Sequence, residues 1–182
     1  MHYPDGKVVA AYGPDYEKGT SGQWENIYCG QHAVKVTQDG LLFLFNNNSC
    51  NADGFPAVEV LREPENAGGM LQKVWEYSCS VEGKPSRKMA GYDFTSGGNV
   101  SELPNGDFFV SMSSSYGKMF MVSRDKKVLW SALPERWEKT TGKWQSTSEY
   151  RASLISSRAE LECLIWAAQQ PANSKPQLLM TH

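Results

Sequence analysis

The sequence predicts an all-β fold built as a partial β-propeller, about two to three four-stranded blades, with a short C-terminal helix. Three observations carry this expectation. A hairpin signal recurs, a Lys-Val strand element follows it each time, and the central strands are apolar on both faces.

The hairpin signal is an Asp-Gly or Asn-Gly step between strand-like runs. Residues 31–48 read QHAVKVTQDGLLFLFNNN and residues 97–114 read GGNVSELPNGDFFVSMSS. Aligned on Gly40 and Gly106, they share a valine before the turn and a phenylalanine after it, 66 residues apart. The second element reads QKVWEYS at 72–78 and KKVLWSA at 126–132, and GKVVAAYG at 6–13 repeats it without a hairpin ahead. Hairpin, strand and Lys-Val strand make four strands per unit, and four-stranded units in series describe propeller blades.

The strand chemistry agrees. Leu41-Leu42-Phe43-Leu44-Phe45, Phe108-Phe109-Val110 and Met119-Phe120-Met121-Val122 are apolar on both faces. Such strands must be covered on both sides. Stacked blades do that, and a β-sandwich with unusually apolar central strands is the alternative. Known propellers close with about four to eight blades. Two or three leave apolar end faces and open strand edges, so the chain is expected to be an incomplete propeller that self-associates.

Residues 1–156 are therefore assigned to propeller blades, with 134–150 (PERWEKTTGKWQSTSEY) as a long polar loop. Residues 157–169 are assigned to a helix. Ser157-Arg-Ala-Glu160 fits a capping box, and Leu161, Leu164, Ile165 and Ala168 follow at helical spacing over 158–168. Pro171 and Pro176 stop it, leaving 170–182 as a tail.

Composition excludes several classes. The 182 residues carry 18 Lys+Arg against 20 Asp+Glu, which leaves no basic footprint for nucleic acid or an anionic membrane. No apolar run approaches the ~20 residues of a membrane helix. The N-terminal MHYPDGK has no apolar core segment and does not read as a signal peptide. The four cysteines, at 29, 50, 79 and 163, include no C-x-x-C pair, so no zinc ribbon is expected. The stretch Ser49-Cys-Asn51-Ala-Asp53-Gly54 only loosely fits a calcium loop and is read as a plain loop, so no metal is expected. Asn47 and Asn99 open glycosylation triplets of the common sort.

Of three histidines, only His32 lies in the body of the chain. A two-residue turn at Asp39-Gly40 makes cross-strand partners sum to 79, so His32 is expected to face Asn47 and Cys29 to face Cys50. A Cys29–Cys50 disulfide is one outcome of that register, and two buried thiols are the other. The same count places Gly98 opposite Ser113, with open space above Gly98. An imidazole beside the amides of Asn46, Asn47 and Asn48 suits an oxyanion, so His32, Asn46 and Asn47 are the candidate site. A structural histidine is the alternative.

These residues resemble a family. Gly30-Gln-His32-Ala with Asp39-Gly40-Leu-Leu-Phe-Leu-Phe-Asn46-Asn47, Val74-Trp75-Glu76-Tyr77 and Gly98-Asn-Val-Ser-Glu-Leu-Pro-Asn-Gly106 are similar, in that order, to segments of the bacterial aryl-sulfate sulfotransferases. The resemblance covers residues 6–132. It implies a six-bladed propeller and a periplasmic location. It also implies sulfuryl transfer from a phenolic sulfate to a phenol through a sulfated histidine, with no cofactor. His32 would then hold the sulfate, with Asn46 and Asn47 beside it, and the ligand would be a phenolic sulfate or another oxyanion. The family's nucleophilic histidine comes from a later blade, and no histidine occurs from 33 to 181. The resemblance therefore implies either an incomplete arylsulfotransferase-like chain or a non-catalytic propeller fragment acting as a binding or scaffold module.

Overall fold

Four of the strand pairs are closed by turns whose chemistry is local. A computed structural model describes residues 12–13, 27–49, 55–66, 69–79, 97–113, 117–147, 151–155 and 157–169. The Lys-Val element at 6–11, Cys50, Asp53 and the tail at 170–182 lie outside them.

The first sheet is a meander of four antiparallel strands, β1 (Gln31–Val36), β2 (Leu42–Asn46), β3 (Ala57–Arg62) and β4 (Gln72–Ser78), in the order β1-β2-β3-β4. The second repeats the plan with β5 (Asn99–Glu102), β6 (Phe108–Met112), β7 (Lys118–Val122) and β8 (Val128–Ala132). Both end on the Lys-Val element, as expected. Neither sheet is closed, and a full propeller ring is not formed by these strands.

The turns correct the predicted register. Thr37 N donates to Leu41 O at 2.7 Å and Gly40 N to Thr37 O at 3.0 Å, enclosing a three-residue loop. Leu103 with Asp107, and Ser123 with Lys127, close identical loops. The third loop residue is in the left-handed region each time: Gly40 at φ 84°, Gly106 at 85° and Lys126 at 65°. A turn ending in a left-handed residue keeps the twist of the flanking strands and adds a residue to the loop. Partner sums therefore fall by one. In β1 a bulge at Ala33, φ 54°, removes another. His32 consequently faces Phe45 and Gln31 faces Asn46, so the expected His32–Asn47 pairing is not formed. In the second sheet Asn99 faces Ser111, which moves the Gly98–Ser113 pairing out of register as well.

The two sheets bury a common core. Phe43, Phe45, Val58, Val60 and Tyr77 of the first meet Val100, Phe108, Val110, Phe120 and Val122 of the second. Cross-strand partners share a face. Under the 66-residue repeat, Phe43 and Phe45 correspond to Phe109 and Ser111, and Leu42 and Leu44 correspond to Phe108 and Val110. The first sheet thus offers its Phe43/Phe45 face, and the second offers the face equivalent to Leu42/Leu44. The two repeats pack through unlike faces. Polar ties run beside this core. Lys35 Nζ donates to Val100 O at 3.3 Å and Ser101 Oγ at 3.1 Å, and Gln38 N donates to Glu102 Oε2 at 2.7 Å.

The segment expected to be a long loop at 134–150 holds a hairpin instead. β9 (Glu135–Glu138) pairs with β10 (Lys143–Ser146), Trp137 opposite Trp144. Their rings meet edge to face at 5.7 Å. Gly142 at φ 62° completes the turn. The polarity of the segment hid this strand pair, because none of its described side chains is buried.

Contacts divide the chain into Met1–Ala152 and Ser153–His182. The second unit holds helix α1 (Arg158–Gln169), capped as expected: Glu160 N donates to Ser157 Oγ at 3.1 Å. No described helix is long and apolar enough to cross a membrane.

Candidate functional site

Gly30, at φ 74°, leads the chain into β1 against the end of β2. The contact is close: a Cβ there would lie 2.5 Å from Ser49 Oγ. Asn47 N donates to Gly30 O and Ser49 N to Cys29 O, each at 3.2 Å. Backbone pairing therefore continues past the strands, Gly30 with Asn47 in the corrected register and Cys29 with Ser49 shifted by one residue. Cys29 is disulfide-bonded, while Cys79 and Cys163 are free thiols. Cys50, the expected partner, lies outside the described residues.

His32 is half-buried at the start of β1, on the face turned to the second sheet. Among the described residues nothing donates to or accepts from its imidazole. The three amides at the end of β2 are turned to other work. Asn46 is fully buried. Its Oδ1 accepts from Cys29 N and Asn48 N, both at 2.9 Å. Its Nδ2 donates to Asn48 Oδ1 at 3.1 Å and Glu59 Oε1 at 3.0 Å. Two donors and two lone pairs are an amide's whole capacity. Asn47 Nδ2 donates to Gly30 O at 2.9 Å, and its buried Oδ1 has no partner. Asn48 Nδ2 donates to Phe55 O at 2.6 Å. An oxyanion needs donors, and both amide N–H groups of Asn46 and one each of Asn47 and Asn48 are held by protein oxygens. Asn46 lies opposite Gln31 and Asn47 opposite Gly30, so neither amide is the direct cross-strand partner of His32.

The space expected above Gly98 is filled. A Cβ on Gly98 would lie 2.4 Å from Phe45 Cε1, so the ring of the first sheet lies directly on the second hairpin's glycine. Asn47 and Asn99, which open glycosylation triplets, are both buried.

Sequence reasoning missed the charged groups that organise this end of the sheet. Glu59 is 0% exposed in the middle of β3. Lys73 Nζ lies 2.7 Å from Glu59 Oε1 and 2.5 Å from Glu76 Oε2. Burial pushes the Glu59 carboxyl up, and its bonds from Lys73 and Asn46 only partly offset this. Burial pulls the Lys73 ammonium down, but bonding to the two carboxylates wins and its pKa is raised. The signal was present: one Glu inside the apolar run Ala57–Leu61, with a Lys on the next strand. Arg124 was also missed. It bonds Glu102 Oε1 at 3.0 Å and Gly106 O at 2.6 Å, and its guanidinium lies 4.5 Å over the Phe108 ring. Among the described residues, no group of three His, Cys, Asp or Glu side chains is placed to hold a metal. Comparison of this chain with models of protein families, with curated proteins and with solved structures finds no match in any of the three.

Proposed function

We propose that this chain is a two-blade arc of an arylsulfotransferase-like β-propeller, and that its own part is that of a non-catalytic scaffold or binding module. One observation supports the reading above others. Two sheets of the same order, each opening on the same three-residue hairpin loop, pack through unlike faces. A contact between unlike faces can repeat, and it gives a ring when the rotation closes and an open stack when it does not. A sandwich of two equivalent sheets would instead pair like faces. The second sheet leaves its outer face for the next unit, with Met119 and Met121 half-buried and Trp130 45% exposed. The amide donors spent on Gly30, Asn48, Phe55 and Glu59 favour a structural role for Asn46 and Asn47 over sulfate binding. A Cys29–Cys50 disulfide belongs to the same proposal, and it suits the oxidising compartment that the resemblance implies.

Sedimentation with a paired activity assay tests the reading. The wild-type chain should self-associate with rising concentration, and Met121→Glu should reduce association without lowering the unfolding midpoint. No 4-nitrophenol should be released from 4-nitrophenyl sulfate in the presence of phenol. A monomer at all concentrations refutes the arc. Release that disappears in His32→Ala refutes the scaffold role and assigns the family reaction to His32.

A further inference from the structure

We propose that the outer face of the first sheet carries a binding pocket for one uncharged six-membered ring. The cavity measures about 160 Å³. Its floor and walls are Leu42, Leu44, Leu61 and Leu71, which belong to a second apolar cluster separate from the core between the sheets. Tyr12 and Tyr28 complete the lining. Gln31 and Val34 stand at the rim, Val34 with 54% of its surface exposed.

Size, polarity and access all point to the same ligand class. An apolar cavity of about 150 Å³ stays dry and takes up benzene, so this volume matches a single ring and little more. Two tyrosine rings in the wall offer edge-to-face contact that an aliphatic lining lacks. Among the described residues no charged side chain lines the cavity, so a charged ligand would lose its hydration without a partner there. Both phenols remain neutral and are poor anions. Burial raises Tyr12, with its bond to Glu63 adding to the shift, and burial alone raises Tyr28. The Tyr12 hydroxyl is engaged by Glu63, which leaves its ring as the surface offered to the cavity. The bulge at Ala33 sets two residues, Ala33 and Val34, against Leu44, and Val34 lines the mouth.

This site lies on the opposite face of the sheet from His32, the face that the repeating contact would cover, so it is titrated at concentrations where sedimentation shows a monomer. Methyl-resolved NMR of the full chain tests it, with benzene and toluene as probes and 4-nitrophenyl sulfate as the charged control. Benzene should shift the methyls of Leu42, Leu44, Leu61 and Leu71 saturably, with a Kd on the order of 1 mM. Val34→Trp, which fills the mouth from an exposed position, should weaken binding at least tenfold. Gln31→Trp serves the same purpose at the other side of the rim. Absence of saturable shifts at these methyls in the folded wild type overturns the proposal. So do equal shifts in both rim variants, or equal binding of the charged control.

Discussion

Replacing Gly98 with alanine should be among the most damaging single-methyl changes in this chain. Gly98 is buried at φ +114°, a backbone region that side-chain-bearing residues rarely adopt. That strain alone is worth about 1–3 kcal/mol. The added Cβ would lie 2.4 and 2.6 Å from two carbons of the Phe45 ring. Phe45 is 0% exposed and its ring has no solvent side to turn toward. Overpacking of this sort costs about 1–3 kcal/mol, so the two effects together reach roughly 3–5 kcal/mol. At ~2–4 °C per kcal/mol for a domain of this size, the midpoint should fall by roughly 10 °C. Urea unfolding followed by tryptophan fluorescence reads the loss, because Trp75 packs against the same core. Phe45→Leu makes the origin of the loss measurable. Alone it should cost about 1–1.5 kcal/mol, and in combination with Gly98→Ala it should recover ~1–2 kcal/mol of the clash while leaving the backbone strain in place. A Gly98→Ala protein within about 0.5 kcal/mol of wild type would refute the reasoning, as would strict additivity of the two changes.

The other predictions concern charge, turn and thiol. Lys73→Met should cost about 2–3 kcal/mol at pH 7, since it leaves the Glu59 carboxylate buried without its cation. The loss should shrink near pH 4, where Glu59 holds a proton. Because burial raises the folded pKa of Glu59 above its unfolded value, its contribution is complete below the unfolded carboxylate range and is lost as pH rises through the folded value. The stability of wild type relative to Glu59→Gln should accordingly fall from pH 4 to pH 7 in urea titrations, and a rise would contradict the assignment. Lys126 occupies the left-handed turn position that Gly40 and Gly106 fill in the other loops, so Lys126→Gly should stabilise by about 0.5–1 kcal/mol in the same assay. Exposed Cys163 should react with an aromatic disulfide reagent in the native state. Cys79 should react only on unfolding, because complete burial raises its thiol far above the usual range. Rapid labelling of Cys79 in the folded chain would contradict its burial.

Strand order was legible in the sequence because it depends on local chemistry. Asp39-Gly40 and Asn105-Gly106 mark turns through the left-handed glycine they require, and that requirement acts over three or four residues. The two-sided apolar strands 41–45 and 108–110 announced burial on both faces, and Ser157 with its helical spacing announced the start of α1. Which residues meet across the strands was decided by the tertiary structure. The loops have three residues, not two, and the bulge at Ala33 removes one more position, so His32 faces Phe45. A bulge arises where the twist of one strand must match its partner and the sheet beyond, and no local signal at Ala33 encodes that. The same holds for the candidate site. Asn46 looked like a free amide because its partners Cys29 and Glu59 are 17 and 13 residues away, one ahead of β1 and the other on β3. Gly98 looked like vacant space because the ring that fills it comes from the preceding sheet. Composition and turns fixed the strands one hairpin at a time; packing between sheets decided which polar groups were already spent and which surfaces stayed open.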